Sequence, residues 1–179
     1  PWYEGERTPD LPQAAPLYFG FGLHDFTPEI LCRGVLEGHV LNIFEGFRRL
    51  PVSPEEIRVT GGLSGSAAWC RAIADIFNTE VVPVKGEGAA LGAAVHAAWV
   101  WGKQQRSGET LQELTEMFVT LDESRRIPPD RQSAGVYEKM KRVFRALSSG
   151  MRGEEGGDPF SERVHLLNVA QNDTFSAGD

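Results

Sequence analysis

The sequence predicts an α/β fold, and three consecutive stretches carry that prediction. Residues 57–60 alternate apolar and polar side chains, which is typical of a short strand, and Gly61 and Gly62 end it. The apolar residues from Trp69 onward have helical spacing. A β-branched run over residues 79–84 then predicts a second strand. A strand, a glycine turn, a helix and a further strand in this order indicate an α/β domain.

The other elements are predicted from caps, periodicity and stop signals. Thr27 is a candidate N-cap, Pro28 suits the first helical position, and Pro51 ends the long helix that follows. Further elements are expected, in chain order, as a strand over 17–23 and helices over 89–104, 111–118 and 137–147. Helices therefore outnumber strands in the expected fold.

The chain is predicted to divide into a domain of residues 1–147 and an appended segment. Residues 148–158 are rich in glycine, serine and polar side chains and are interpreted as a linker. Residues 159–179 are interpreted as a short flexible tail. At the other end, the proline-rich residues 1–16 are expected to form a surface loop.

Composition and charge exclude several classes of protein. At 179 residues, with 41% hydrophobic and 24% charged side chains, the chain can bury an ordinary globular core. The net charge of −7 and the lack of a basic stripe argue against a nucleic-acid partner. No apolar run is long enough for a membrane span and no signal peptide is visible, so a cytoplasmic location is expected.

The residues that could hold a metal or form a disulfide are scattered. Cys32 and Cys70 stand alone in predicted helices and are expected to be small buried side chains. None of the four histidines has a second ligand at metal-binding spacing. No metal ligand is therefore predicted in this chain.

The turn at Gly61 and Gly62 is the candidate ligand site, and its residues alone leave two readings open. Paired glycines let a ligand approach the backbone, and the N–H groups at the start of the next helix suit polar or anionic ligand atoms. The stretch lacks the phosphate-loop pattern and a dinucleotide fingerprint. An ordinary strand-to-helix turn accounts for the same glycines.

Four motifs in a fixed order resemble those of one enzyme family. They are, in chain order, VTGGLSGSAAW at residues 59–69, ADIF at 74–77, VVPV at 81–84 and EGAALGAA at 87–94. Together they resemble the ATP-binding region of the FGGY carbohydrate kinases, and the resemblance extends over residues 1–147. Upstream, GERTP at residues 5–9 resembles a loop of the xylulokinase branch.

The second signature of the FGGY family is matched only in part. Residues 35–37, Val-Leu-Glu, fit its end. Ile30 stands where an acidic residue is usual, and Gly34 where alanine or serine is usual. These departures weaken the match to the signature without affecting the expected fold.

The resemblance implies an actin-like ATPase (ribonuclease H-like) domain, a mixed sheet flanked by helices, that binds ATP or ADP with Mg²⁺. It implies that Gly61 and Gly62 give backbone access beside the nucleoside. Ser66 would hydrogen-bond the base or ribose, and Leu63 would add apolar contact. The small side chains of the helix from residue 89 would support the adenine pocket. Glu87 is interpreted as a capping residue whose charge suits the positive end of that helix.

No catalytic residue is predicted in this chain. The catalytic base of the family is an aspartate in a glycine-flanked motif upstream of the GERTP loop, and Asp10, Asp25 and Asp75 lie in no such motif. The resemblance places the sugar pocket mostly in an N-terminal domain that this chain lacks. The chain alone is therefore expected to bind nucleotide without turnover.

The function implied by the resemblance is ATP-dependent phosphorylation of a sugar hydroxyl, with a pentulose such as D-xylulose as the expected substrate. Another ketose or polyol of the same family is the near alternative. A non-catalytic nucleotide-binding or regulatory module is the alternative from a different class, and a purely helical interaction domain is disfavoured by the strand–glycine–helix unit. A homodimer is an expected assembly because dimers are common in the family.

Overall fold

The computed structural model describes residues 5–6, 10–86, 88–105 and 108–176, with side chains of the last helix described as far as residue 168. In chain order its helices and strands are α1 (Pro28–Phe47), β1 (Glu56–Val59), α2 (Ala67–Phe77), β2 (Glu80–Pro83), α3 (Gly88–Gln104), α4 (Leu111–Phe118), α5 (Ala134–Met151) and α6 (Pro159–Ser176). Two 3₁₀ turns, Gly62–Gly65 and Glu123–Arg125, complete the order. The predicted α/β class is confirmed.

The sheet is built around a β–α–β unit. β1 and β2 run parallel, with Ile57 opposite Val81 and Val59 opposite Pro83, and α2 connects them. On its other side β2 makes isolated antiparallel bridges, from Val81 to Ile127 and from Val84 to Leu121. Parallel and antiparallel pairing therefore both occur, as the expected mixed sheet requires.

Arg126 neutralises the carboxylates that this pairing brings together. Glu56 and Glu80 begin the two strands and lie opposite each other. Arg126 Nη1 contacts Glu56 Oε2 at 2.6 Å and Glu80 Oε2 at 2.8 Å, while its Nε contacts Glu123 Oε2 at 2.7 Å. Hydrogen bonds from Arg58 and from Arg126 lower the pKa of Glu56. Without the guanidinium, the register would set like charges side by side.

The chain separates into two compact units. The first comprises Pro1–Ser53, Asp75–Phe77 and Asp130–Asp179, and the second Pro54–Ala74 and Asn78–Pro129. The second unit contains the sheet, and most of its buried side chains come from α2 and β2, with Val95 of α3 also buried. Among its most buried residues are Cys70, Ala72, Ile73, Val81 and Val82.

The first unit is helical, and α1 and α5 supply most of its core. Val40 and Leu41 of α1 and Val143 and Phe144 of α5 are buried. Lys141 is also buried, with its ammonium 4.1 Å from the centre of the Phe44 ring and an ion pair to Glu138 at 2.6 Å. A cation over an aromatic face keeps a favourable partner when it is withdrawn from water.

The predicted start of α1 is confirmed. The Thr27 side chain accepts a hydrogen bond from the Ile30 N–H, and Pro28 is the first helical residue. A threonine hydroxyl at this position satisfies a backbone donor that the helix leaves unpaired. The helix ends at Phe47, before the predicted stop at Pro51.

The aromatic segment 17–23 is not a strand, so that expectation is wrong. None of its residues belongs to a strand. Its aromatic rings instead pack on one another and on α6. The ring centroids of Phe19 and Phe160 lie 5.3 Å apart, and those of Phe21 and Phe26 lie 5.5 Å apart. A strand needs a paired neighbour, and side-chain pattern alone does not reveal whether one exists.

The segment interpreted as linker and tail contains more helix than expected. Residues 148–151 continue α5, and α6 occupies Pro159–Ser176. Asp158 caps α6, since its carboxylate accepts from the N–H groups of Phe160 and Ser161 at 3.1 Å each. An aspartate followed by proline is a helix-start signal that the sequence contained. The division into residues 1–147 and an appended segment stays a prediction.

One local expectation also needs correction. Cys70 is buried as expected, but Cys32 is exposed on α1. Over the described residues, none of the helices has the length and apolar character needed to cross a membrane.

Glu45 is expected to make the stability of the first unit depend on pH. Burial opposes ionisation of Glu45, but hydrogen bonds and charges from Arg145 and Arg48 outweigh it and lower its pKa below 4.5. The ionised carboxylate contacts Arg145 at 2.9 Å and Arg48 at 3.2 Å. Because its pKa is lower in the folded state, its stabilisation is present at neutral pH and is lost as pH falls through that lowered value.

The Glu45→Gln variant should therefore lower the urea midpoint at neutral pH and approach the parent protein in strong acid. The matched control is Glu55→Gln at an exposed position. Urea unfolding followed by circular dichroism at a series of pH values measures the difference. A Glu45→Gln deficit that stayed constant into strong acid would contradict the assignment.

Candidate functional site

The glycine loop, residues 60–66, connects β1 to α2 and contains all four residues predicted to contact a nucleotide. Gly61 has φ of +85°, a conformation that side chains with a Cβ rarely adopt. The 3₁₀ turn Gly62–Gly65 follows at once. Leu63 projects from this turn with 53% of its surface exposed.

Ser66 ends the loop and caps α2. Its side-chain oxygen accepts a hydrogen bond from the Trp69 N–H at 3.3 Å, and its carbonyl accepts from the Cys70 N–H at 3.1 Å. A hydroxyl that accepts one bond still has a proton to donate and a second lone pair. Ser66 can therefore cap the helix and bond to a ligand at the same time.

Ser64 holds the loop together from within. Its N–H and its hydroxyl both donate to the Gly61 carbonyl, at 3.1 Å and 2.7 Å. Its own carbonyl accepts from Arg125 Nη2 at 2.7 Å and from the Cys70 thiol at 3.5 Å. Burial raises the pKa of that thiol, so Cys70 stays protonated and can donate.

The outer side of the loop is open. A Cβ built on Gly61, Gly62 or Gly65 would meet no described heavy atom within 4 Å beyond its chain neighbours. Bare backbone that borders free space is accessible to a ligand at van der Waals distance. The backbone of the loop is therefore exposed on this side.

The start of α3 lies against the loop. A Cβ on Gly88 would fall 1.9 Å from Thr60 Oγ1 and 2.6 Å from Thr60 Cβ, so only glycine fits there. Beyond this contact α3 exposes a run of small residues, Ala89, Ala90, Gly92, Ala93, Ala94, Ala97 and Ala98. Glu87, which was predicted to lie at the start of this helix, is outside the described residues.

The loop resembling the xylulokinase branch is described only at Gly5 and Glu6. Gly5 has φ of +83° and donates to the Ala14 carbonyl at 2.9 Å. Glu6 pairs with Leu11 and accepts from the Asn42 amide at 3.1 Å. These contacts belong to the first unit, and the rest of the motif, residues 7–9, lies outside the described residues.

Two of the three aspartates that were not nominated as catalysts accept hydrogen bonds from backbone N–H groups. Asp25 accepts from the Gly22 N–H at 2.7 Å, and the buried Asp75 accepts from the Asp130 N–H at 2.8 Å. Asp10 lies in a turn. In the described part of the chain, no group of three or more His, Cys, Asp or Glu could hold a metal ion.

A cavity of about 270 Å³ lies within the first unit. Its walls come from the segment 16–21 and from α1, α5 and α6. Most of the lining is apolar, and Glu37 and Arg163 are its charged residues. None of the residues predicted to bind nucleotide borders it.

Comparison with known proteins identifies the family. The model of the C-terminal domain of the FGGY family of carbohydrate kinases matches residues 1–101, which is more than half of the chain. The chain belongs to the FGGY family. The family match therefore confirms the resemblance that the sequence motifs indicated.

Individual relatives support the same assignment. A xylulose kinase of Haemophilus influenzae is 36% identical over 142 residues, covering 77% of this chain and 28% of the relative. A gluconokinase of Bacillus licheniformis is 30% identical over 165 residues, covering 86% and 30%. This FGGY chain thus spans less than a third of the length of these relatives.

A solved structure confirms the fold. The crystal structure of xylulose kinase from Rhodospirillum rubrum superposes with a TM-score of 0.64 and 26% sequence identity, covering 79% of this chain and 28% of that one. The likeness supports the actin-like ATPase fold that the motifs implied. The glycine loop of this FGGY chain therefore lies within the fold that the family resemblance implied.

Sequence reasoning missed three residues that shape the site. Thr60 and Gly88 meet at the start of α3, and Arg125 anchors Ser64 from 61 residues away. Glycine at the expected start of a helix was a local signal for the first contact. No local signal existed for Arg125, because its partner is set by the pairing of distant segments.

Gly61→Ala is expected to lower the free energy of unfolding by about 1–3 kcal/mol, because Gly61 combines φ of 85° with ψ of −176°, a conformation that is essentially restricted to glycine. Gly62→Ala is the matched control, since Gly62 has no positive φ and its Cβ would enter open space. We expect the control to change stability by less than about 0.5 kcal/mol. Urea unfolding of both variants tests this, and equal destabilisation would contradict it.

Proposed function

We propose that this chain supplies the adenosine-binding part of an enzyme that phosphorylates a sugar hydroxyl with ATP. The observation that carries the proposal is the open glycine loop whose first residue, Thr60, abuts the start of α3. Bare loop backbone and the small-residue face of α3 offer room for a flat ring system. Membership in the FGGY family supports ATP as the nucleotide.

The loop residues would act on the nucleoside through complementary contacts. Gly61 and Gly62 would let the backbone approach it, and Ser66 would donate from its hydroxyl to the base or ribose while it caps α2. The exposed Leu63 would add apolar contact. These roles follow from the geometry of each residue and from the family resemblance.

ATP would act as the phosphoryl donor, and its Mg²⁺ would neutralise charge on the phosphates. Mg²⁺ keeps several water ligands and commonly binds the phosphates with only one or two carboxylates. The described residues would provide the nucleoside contacts, and among them no group of three or more His, Cys, Asp or Glu could hold a metal ion. In this proposal the phosphates of ATP would hold the Mg²⁺.

The catalytic base and the sugar pocket are proposed to lie in parts of the enzyme beyond this chain. Asp25 and Asp75 serve as acceptors for backbone N–H groups. Phosphoryl transfer needs a residue that positions and deprotonates the attacking hydroxyl. The chain on its own is accordingly proposed to bind nucleotide without turnover, in a cytoplasmic enzyme whose assembly as a homodimer is part of the same proposal.

D-Xylulose is the proposed substrate. The GERTP motif and the xylulose kinase of Haemophilus influenzae favour a pentulose. Gluconate is the second candidate because a gluconokinase is also among the relatives. Another ketose or polyol, and a nucleotide-binding module without catalysis, are outcomes that the experiment separates.

The deciding experiment is an ADP-release assay of the full-length protein with D-xylulose, other ketoses, polyols and D-gluconate. We expect turnover with D-xylulose and much lower kcat/KM for the others. Preferred turnover of another sugar would replace the proposed substrate. ATP binding without turnover on any sugar would contradict the enzymatic proposal and favour the regulatory one.

Gly62→Ala should weaken ATP binding about fivefold, which corresponds to about 1 kcal/mol, because its Cβ enters the space offered to the nucleoside. The KM for sugar and the stability should stay close to those of the parent protein. Gly135→Ala on α5 is the matched control, because its Cβ also meets open space. Isothermal titration with ATP measures both, and identical affinities would refute the placement of the nucleoside.

A further inference from the structure

The glycine loop is anchored by a residue that the family motifs do not include. Arg125 Nη2 donates to the Ser64 carbonyl at 2.7 Å, across 61 residues of sequence. The Cys70 thiol reaches the same oxygen at 3.5 Å. A charged N–H donor makes a stronger hydrogen bond than a thiol, so Arg125 dominates the anchor.

Ser64 transmits this anchor to the glycines. Its N–H and hydroxyl both hold the Gly61 carbonyl, at 3.1 Å and 2.7 Å. In a trans peptide the N–H points opposite to the carbonyl, so the Gly62 N–H is directed away from Ser64. The orientation of the peptide between the two glycines therefore depends on where Ser64 is held.

Arg125 itself stands on a well-supported segment. Its N–H donates to the Asp122 carbonyl at 2.9 Å, and the Asp122 N–H donates to the Pro83 carbonyl at 2.8 Å. On the other side, Ile127 and Val81 exchange two backbone hydrogen bonds, at 2.9 Å and 2.8 Å. The guanidinium therefore extends from a turn that is bonded to β2 at both ends.

The hydrogen bonds within the loop join its own residues, whereas Arg125 ties the loop to a distant segment. A 3₁₀ turn has poorer hydrogen-bond geometry than an α-helix, and glycines add backbone freedom. Three of its residues, Gly61, Gly62 and Gly65, have open space where a side chain would pack. A donor from outside the loop therefore adds a restraint on its conformation.

We propose that Arg125 is a positioning residue for nucleotide binding, which holds Ser64 and through it the Gly61 carbonyl and the Gly62 N–H. It acts through the loop and does not contact the nucleotide. The inference rests on the proposed function, since it assigns a role in the same nucleotide site. It adds a determinant of ATP affinity that lies outside the motifs.

The test is Arg125→Met in the full-length protein, which keeps the apolar stem and removes the donors. ATP affinity measured by isothermal titration should fall about tenfold, while the KM for sugar stays unchanged. Arg125→Lys should recover part of the affinity, because an ammonium can still donate to the Ser64 carbonyl. Backbone amides of Gly62–Gly65 should exchange hydrogen faster in Arg125→Met.

Arg71→Met is the matched control. Arg71 Nη1 also donates to a backbone carbonyl at 2.7 Å, but to that of Pro128 rather than to the glycine loop. Its loss should leave ATP affinity within about twofold of the parent protein. Thermal unfolding of both variants shows whether either change disturbs the fold as a whole.

Each result has a distinct meaning. A selective loss of ATP affinity in Arg125→Met, with recovery in Arg125→Lys, supports the inference. Unchanged ATP affinity in Arg125→Met, while the parent protein binds ATP, overturns the inference and leaves the proposed function standing. A parallel loss of ATP and sugar binding with a lowered unfolding temperature assigns Arg125 to general stability and also overturns it. A parent protein that binds no ATP overturns the proposed function and this inference together.

Discussion

The parallel pairing of β1 with β2 is the constraint on which the second unit depends. It places the ends of both strands side by side, so that the loop after β1 and the chain after β2 leave the sheet at the same edge. The contact between Thr60 and Gly88 is the direct result, since these residues follow the two strands. A ligand that enters at this edge meets both the loop and α3.

Charge is distributed unequally between the two ends of this small sheet. The starting end concentrates Glu56, Glu80 and Glu123 around the single guanidinium of Arg126. At the other end, the glycine loop presents backbone groups and uncharged side chains. Ionic contacts therefore hold the pairing at the starting end, and none of the loop residues 60–66 carries a charged side chain.

Much of this arrangement could be predicted from sequence because its signals are local. The alternation before Gly61, the spacing from Trp69 and the Thr27–Pro28 start each act within a few residues, and the structure confirms the strand and helices that they predict. The prediction of a strand over residues 17–23 was wrong because a strand depends on a pairing partner elsewhere in the chain. α6 was missed because the Asp158–Pro159 signal stands in a run of glycine and polar residues.

In the candidate site, the glycines and Ser66 could be predicted because they belong to a recognisable motif. Arg125 could not, because it reaches the loop only through tertiary pairing.

The distance along the chain between the glycine loop and its anchor has a consequence during synthesis. A growing chain completes Gly61–Ser66 well before Arg125 emerges, and α3 and α4 must leave the ribosome in between. During that interval the loop has its glycines and its own serine contacts but not the guanidinium. The loop of a nascent chain therefore gains its external hydrogen-bond donor only when the segment bordering β2 docks.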